Sequence, residues 1–299
     1  MKIKFIQDFI DFIRAELEAP YNKGYKLFYV SKSEPRNAGD VFNETLMEYF
    51  NIPYKKTLMT NTNLLCVGSL LQKTVVAENE KIKPQKSKDC ILAGVGFISA
   101  PEGKEKPLKN YLIKAVRGKL TQKRLEEMTN QNLDNCVLAD PGLLASYIFP
   151  KRKNIKYKVG IIPHMIDKKS TALENIRLKN YSYTFIDINQ KVEKVLEDIN
   201  ECECILSSSL HGLVFSDSYG IPGRQIILSD NVIGGVYKFR DYYSCYNMEL
   251  PRPIDLRQET IEDNLINEII EEYTNRVDEI KLKQQKLVEI YKEIANRKF

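Results

Sequence analysis

Residues 204–228 constrain the fold more strongly than any other stretch of the chain. Residues 204–206 predict a short buried strand. The three serines that follow favour a helix start, because a hydroxyl accepts a hydrogen bond from a free helical N–H group. The helix is predicted to end at Gly220, just before Pro222, and a second strand is predicted over 225–228. This βαβ unit of a parallel sheet places a helix start at the carboxyl end of a strand, where an anion would bind.

The same alternation of strands and helices extends over most of the 299 residues, and a basic segment at 150–156 is interpreted as a linker. The predicted fold class is α/β, with two Rossmann-like lobes of parallel sheet, residues 1–150 on the acceptor side and residues 151–255 on the donor side, followed by helices over 256–299 that pack on the lobes. The active site is expected in the cleft between the lobes. The predicted strands are 25–30, 64–67, 90–95, 111–116, 136–138, 158–162, 183–186, 204–206 and 225–228, the predicted helices include 3–18, 41–50 and 119–128, and surface loops are predicted at 78–89 and 101–110.

Composition limits the classes of partner. The formal charge of +5 suits an anionic small molecule or an acidic membrane surface, but no basic stripe interleaved with aromatic residues is present, so no nucleic-acid partner is expected. Six scattered cysteines indicate reduced thiols in a cytoplasmic protein. Neither a signal peptide nor a membrane span is predicted. The amphipathic pattern over 3–18 leaves peripheral contact with the inner face of a membrane as an alternative to docking on the body.

The chain has two histidines, His164 and His211, and each follows a predicted strand of the second half. Because the carboxyl ends of parallel strands share one edge of a sheet, both imidazoles are expected to face one crevice. The helix dipole makes His211 harder to protonate, whereas a bound phosphate has the opposite effect. His211 is therefore a candidate proton donor once an anion is present, with a structural role as the alternative.

Cations form the second element of the candidate site. Arg117 follows a predicted strand of the first half, where a surface charge at a helix start is the alternative interpretation. Lys238 and Arg240 lie in a Gly- and Tyr-rich segment, 229–246, which is predicted to be an irregular loop that contacts a sugar or an anion.

Two glycine-containing turns follow predicted strands in the first half. In one, Gly39 permits close backbone approach, and Asp40 is interpreted either as the helix cap or as an active-site carboxylate. In the other, Gly96 closes a Gly-x-Gly, which is weak evidence for a dinucleotide because the rest of that fingerprint is missing. No metal site is predicted, because the candidate ligands lack motif spacing, and Ser-His-Asp hydrolysis is disfavoured because no G-x-S-x-G turn is present.

Nine short motifs, in their order and spacing, resemble the polysaccharide pyruvyl transferase family over about residues 25–245. The resemblance implies a glycosyltransferase-B-like (GT-B-like) fold. It also implies transfer of a pyruvyl group from phosphoenolpyruvate to a sugar acceptor, either free or lipid-linked, with no cofactor besides this donor. The motifs are Asn37-x-Gly39-Asp40, Val67-Gly68-Ser69, Gly94-x-Gly96-Phe97, Val116-Arg117-Gly118-x-x-Thr121, Asp140-Pro141-Gly142-x-Leu144, Gly160 to His164, Ser207 to Gly212, Tyr219 to Pro222 and Lys238 to Tyr242.

Catalysis in that family centres on an Arg-Leu-His segment, which His211 and Leu210 match, with Ser209 at the arginine position. The resemblance implies that His211 protonates the donor while Asp40 or His164 serves as the base. The substrate-binding residues that it suggests are Arg117, Lys238, Arg240, Ser207, Ser208, Ser209, Asn37, Gly39 and Gly96.

Two other functions fit the same fold. One is a GT-B glycosyltransferase that uses a nucleotide sugar, although the second half lacks a clear Glu-x7-Glu donor segment. The other is a non-catalytic carbohydrate-binding or assembly protein, for which the serine at position 209 is the best argument.

Overall fold

The computed structural model describes residues 24–30, 36–80, 89–150, 154–273 and 276–297. The helix predicted over 3–18 lies outside these ranges. The described residues form a six-stranded parallel sheet, with strand order β2-β1-β3-β5-β7-β8, and a five-stranded parallel sheet, with order β10-β9-β11-β12-β13. The predicted α/β class with parallel sheets is therefore confirmed.

The first sheet consists of β1 (Tyr25–Leu27), β2 (Tyr54–Lys56), β3 (Leu64–Leu65), β5 (Asp89–Ala93), β7 (Asn110–Val116) and β8 (Val137–Leu138). The second consists of β9 (Tyr157–Ile162), β10 (Tyr183–Phe185), β11 (Cys202–Ser207), β12 (Gly223–Ile227) and β13 (Ile254–Asp255). The α-helices are α1 (Ala38–Tyr49), α2 (Lys119–Thr129), α3 (Ala145–Ile148), α4 (Val192–Asn200), α5 (Leu210–Ser218), α6 (Tyr237–Ser244), α7 (Asp263–Glu271) and α8 (Val277–Asn296).

Apolar strands are the reason why the sheets could be predicted from the sequence. In β11 every residue except Glu203 is buried, as expected for a central parallel strand that is covered on both faces. One large apolar core includes residues of both halves, and the rings of Phe42 and Phe215 meet edge to face across it at 5.3 Å. The starts of α1 and α5 are therefore held close together.

The last helix, α8, contacts residues of the first half of the chain. In α8, the Tyr291 hydroxyl donates to the Ala93 carbonyl at 3.0 Å, and the Gln284 amide donates to the Leu143 carbonyl at 2.7 Å. These bonds fix the last helix against the first sheet.

Two predicted loops are wrong. Tyr237–Ser244, inside the segment predicted to be irregular, is α6, because Phe239, Tyr242 and Tyr243 recur at helical spacing and are buried. The predicted surface loop at 101–110 contains β6 (Glu105–Pro107), which pairs antiparallel with β4 (Val75–Ala77). Charge and proline content concealed β6, and the glycines and tyrosines of 229–246 concealed α6.

Candidate active site

The serine turn that precedes α5 is shaped by its own hydroxyls. The Ser207 hydroxyl donates to the carbonyl oxygens of Ile162, at 3.0 Å, and Ser209, at 2.8 Å, and it accepts a bond from the Ser209 N–H at 3.0 Å. Gly212 is required here, because a Cβ at that position would overlap the Ser207 hydroxyl. Ser207 thus sets the geometry of the turn, and the Ser209 hydroxyl forms no hydrogen bond with the part of the chain that the structure describes.

The imidazole of His211 lies against the start of α1. A Cβ at position 39 would overlap the imidazole ring, so only glycine allows this approach. Asn37 accepts the Gly39 N–H at 2.9 Å and is therefore the helix cap, whereas Asp40 lies within the first turn of the helix. The interpretation of Asp40 as the cap is wrong. The motif instead brings the starts of α1 and α5 together at His211.

Asp140 faces His211 from a third helical start. Its Oδ1 accepts the Gly142 N–H at 2.9 Å and lies 4.0 Å from His211 Nε2. Both His211 Nε2 and Asp140 Oδ2 are buried without a hydrogen-bond partner among the described residues. The sequence did not predict an acid beside His211, and in the structure the Asp140 carboxylate lies there.

Burial controls the protonation of this pair. Burial, followed by the charges of Arg117 and Lys238, lowers the pKa of His211 to about 3. Burial raises the pKa of Asp140 to about 6, although the Gly142 N–H and the charge of Arg117 oppose the shift. The imidazole is therefore neutral at pH 7, and a bound anion would raise its pKa.

Lys238 is a buried cation whose ammonium lies 5.7 Å from the centroid of the Phe239 ring. Its side chain lies in α6, the residue is 8% exposed, and its ammonium forms no hydrogen bond or ion pair with any described residue. Burial and the charge of Arg117 lower its pKa to about 8, while the carboxylates of Asp40 and Asp167 act in the opposite direction. Arg240 is exposed on the same helix.

The charge of Lys238 interacts with the carboxylates of Asp40 and Asp167 and with the imidazole of His164. Burial raises the pKa of Asp40 to about 7 against the charge of Lys238. Burial and Lys238 lower the pKa of His164 to about 4. The Ser208 hydroxyl accepts the His164 N–H at 2.8 Å and donates to Asp167 at 3.2 Å, so that Ser208 ties the two rim segments together. An anion placed at Lys238 would therefore be surrounded by groups able to exchange protons.

Arg117 is buried like Lys238, but its guanidinium has hydrogen-bond and ion-pair partners. It is fully buried, and its guanidinium binds the Asp241 carboxylate at 2.8 Å, the Ser69 hydroxyl at 2.6 Å and the Phe97 carbonyl at 2.5 Å. A Cβ at Gly96 would overlap this guanidinium, so the predicted residues Gly96 and Arg117 pack against each other. The guanidinium of Arg117 is thus hydrogen-bonded by the protein's own side chains and backbone.

Sequence reasoning missed three buried aspartates, namely Asp140, Asp167 and Asp241. Asp140 and Asp241 stand inside motifs that carried the family resemblance, which was the available signal. Asp167 follows His164 by three residues in a turn with no pattern of its own. Among the described residues, no cluster of His, Cys, Asp and Glu is arranged to hold a metal ion, and no helix is long and apolar enough to cross a membrane.

Comparisons with known proteins decide the family. A family model described as polysaccharide pyruvyl transferase matches residues 8–227. The chain belongs to the polysaccharide pyruvyl transferase family. Membership confirms the resemblance read from the motifs and the prediction that the chain is an enzyme of this class.

Two distant relatives accompany this match. "Succinoglycan biosynthesis protein ExoV" of Rhizobium meliloti (strain 1021) is 22% identical over 239 residues, which span 78% of this chain and 70% of the relative. "Uncharacterized protein L143" of Acanthamoeba polyphaga mimivirus is 26% identical over 234 residues, which span 71% of this chain and 72% of the relative. The first of these supports the predicted role in exopolysaccharide biosynthesis.

Proposed function

We propose that this polysaccharide pyruvyl transferase takes the pyruvyl group of phosphoenolpyruvate and attaches it to a sugar of a surface polysaccharide or its precursor. The products are a cyclic pyruvate ketal and phosphate. The observation that carries the proposal is the buried ammonium of Lys238, which has no hydrogen bond or ion pair among the described residues and whose charge acts on His211. A buried cation without a counter-charge is costly, and an anionic donor supplies that charge.

The donor is held by the second half of the chain. The phosphate accepts hydrogen bonds from the Lys238 ammonium, from the free Ser209 hydroxyl and from backbone N–H groups at the start of α5. Lys238 thereby provides the charge that the family arginine would provide at position 209. Arg117 contributes through the effect of its charge on the pKa of Lys238 and through its ion pair with Asp241 on α6.

The bound phosphate prepares His211 to donate a proton. Its negative charge raises the pKa of the imidazole, and the carboxylate of Asp140, 4.0 Å away, stabilises the imidazolium. His211 protonates the methylene carbon of the enol, and one sugar hydroxyl attacks the resulting cationic carbon. A second hydroxyl of the sugar then displaces phosphate and closes the ketal. Asp40, whose pKa is raised to about 7, accepts the hydroxyl proton, with His164 as the alternative base.

The same proposal includes the arrangement of the two sheets. We infer two GT-B-like lobes, residues 1–150 and 151–255, with the reaction in the cleft between them and the helices of 256–299 bracing both. This inference is supported by the contacts that cross between the halves, which are Gly39 with His211 and Arg117 with Asp241. We further propose a cytoplasmic reaction, with a lipid-linked acceptor and peripheral membrane contact as options.

The test is a donor-binding and turnover experiment. Phosphoenolpyruvate at about 100 times its Kd should add nearly 3 kcal/mol of stability, and nucleotide sugars should add none. His211→Ala should lower phosphate release by roughly 10²- to 10⁴-fold while it retains the melting shift with phosphoenolpyruvate, since Lys238 still holds the donor. Near-normal phosphate release by the variant would exclude His211 as the acid. Stabilisation by nucleotide sugars alone would indicate the glycosyltransferase, and stabilisation by neither would indicate the binding protein.

A further inference from the structure

A cavity of about 370 Å³ adjoins the candidate active site at the carboxyl end of the second sheet. On one side it is lined by Ser208 and Asp167, which belong to the cluster around Lys238. Its other walls come from the end of β12 and from the segment 228–236 that leads to α6. The cavity is large enough for a small ligand and shares a wall with the anion site.

Gln225 marks this cavity as a binding site. Its side chain lines the cavity, the residue is 5% exposed, and its Oε1 is buried without a hydrogen-bond partner among the described residues. The Gln225 Nε2 also forms no hydrogen bond with a described residue. A buried carboxamide without a partner costs about 1–3 kcal/mol, and a ligand in the cavity would supply the partner. A carboxamide both donates and accepts hydrogen bonds, which matches the hydroxyl groups of a sugar.

The charges of the lining are already paired. Arg257, the cation of the lining, binds the carboxylates of Asp230, at 2.6 Å, and Asp255, at 2.7 Å. Asp167 accepts bonds from the hydroxyls of Ser208, at 3.2 Å, and Ser229, at 2.5 Å. The cavity therefore offers no free cation to a phosphate, whereas the neighbouring Lys238 does.

The remaining wall is apolar. Leu228, Val232 and Ile233 also line the cavity, and Ile233 is 66% exposed. A sugar ring has polar hydroxyl edges and apolar C–H faces, and it fits a cavity with one amide, paired charges and an aliphatic wall.

We propose that this cavity binds the acceptor sugar, with Gln225 as the hydrogen-bonding group that fixes the orientation of its hydroxyls. The proposal rests on the proposed function and assigns a binding position to each of its two substrates. The anionic donor binds at Lys238, the neutral acceptor binds at Gln225, and Ser208 and Asp167 lie between them.

Ligand-observed saturation-transfer NMR tests this assignment. The probes are the methyl glycosides of glucose, galactose and mannose, and the proteins are the wild type, Gln225→Leu and the matched control Gln285→Leu on the exposed side of α8. At least one glycoside should bind the wild type and the control, and Gln225→Leu should weaken that binding at least tenfold. Val232→Trp, which narrows the cavity from another wall, should also abolish binding, and it keeps the test valid if Gln225→Leu is unstable.

Donor binding is measured on the same proteins, so that the two proposals fail separately. The melting shift with phosphoenolpyruvate should be equal in the wild type, Gln225→Leu and Val232→Trp. Unchanged glycoside binding by both cavity variants, or no glycoside binding by the wild type, would overturn the acceptor assignment while leaving the donor site intact. Competition by uridine or adenosine at this cavity would identify a nucleoside pocket and would also overturn it. Loss of the phosphoenolpyruvate shift in the wild type would instead contradict the proposed function.

Discussion

Arg117 and Lys238 are both buried cations near the same histidine, yet the protein treats them in opposite ways. Arg117 has a carboxylate, a hydroxyl and a backbone carbonyl as partners, and Asp241, which pairs with it, also accepts bonds from the N–H and the hydroxyl of Thr121. Lys238 lies three residues from Asp241 on α6, and its ammonium forms no hydrogen bond or ion pair with a described residue. We infer from this difference that Arg117 stabilises the fold, whereas Lys238 is available to bind a ligand.

The Asp241 side of this comparison should give the largest effect on stability. Asp241→Ala leaves the charge of Arg117 buried without its counter-ion, and we expect a loss of about 3–5 kcal/mol in the free energy of unfolding. Urea denaturation measures this loss, with Asp278→Ala at a fully exposed position as the control, which should change stability by less than about 0.5 kcal/mol. A loss below about 1 kcal/mol for Asp241→Ala would mean that the Arg117 pair is not structural.

Removing Lys238 should have the opposite signature. Lys238→Met should weaken phosphoenolpyruvate binding about 100-fold, or ~2.7 kcal/mol. It should also raise the free energy of unfolding at pH 7 by roughly 1–3 kcal/mol, because the pKa of about 8 shows that the fold disfavours the charged lysine. That gain is complete below pH 8 and disappears as the pH rises to the unfolded pKa of 10.5. Calorimetric titration and denaturation at pH 7 check both parts. Unchanged donor affinity would remove Lys238 from the site.

Asp140 should show an intermediate effect. Asp140→Asn keeps a side chain that can cap the turn at Gly142 but removes the charge beside His211. We expect turnover to fall tenfold or more and the alkaline limb of the pH–rate profile, which reports the proton donor His211, to move to lower pH, because the imidazolium loses its counter-charge. If Asp140 were only a cap, the asparagine variant would keep both the rate and the profile of the wild type.

The sequence predicted the parallel sheets because their strands are apolar runs, as in β9 and β11, whose burial on both faces leaves little ambiguity. It did not predict α6, because glycines and tyrosines at 229–246 resemble a loop until Phe239 and Tyr242 are seen to be buried. Local pattern reports periodicity, but it does not report which face a neighbouring element covers.

The candidate site shows the same limit. The strand ends and the motifs indicated His211, Asp40 and Lys238. In the structure Lys238 interacts electrostatically with both of the other residues. Arg117 was selected by the same reasoning, yet its role depends on whether a carboxylate reaches it, and Asp241 lies 124 positions later in the chain. Residue type predicts a cation, whereas only tertiary contacts determine whether that cation is free.

The last prediction concerns the pH dependence of donor binding, and it tests whether Lys238 is free before the donor arrives. Above pH 7 the donor phosphate is already fully ionised, so the change in affinity reports the protein. The pKa of Lys238 is about 8, and a bound dianion raises it, so binding takes up a proton at higher pH. The Kd for phosphoenolpyruvate should therefore be flat from pH 7 to 8 and then rise by up to tenfold per pH unit between pH 8 and 10. Lys238→Met should abolish this slope, and a wild-type Kd that stays constant to pH 10 would show that the lysine is paired like Arg117.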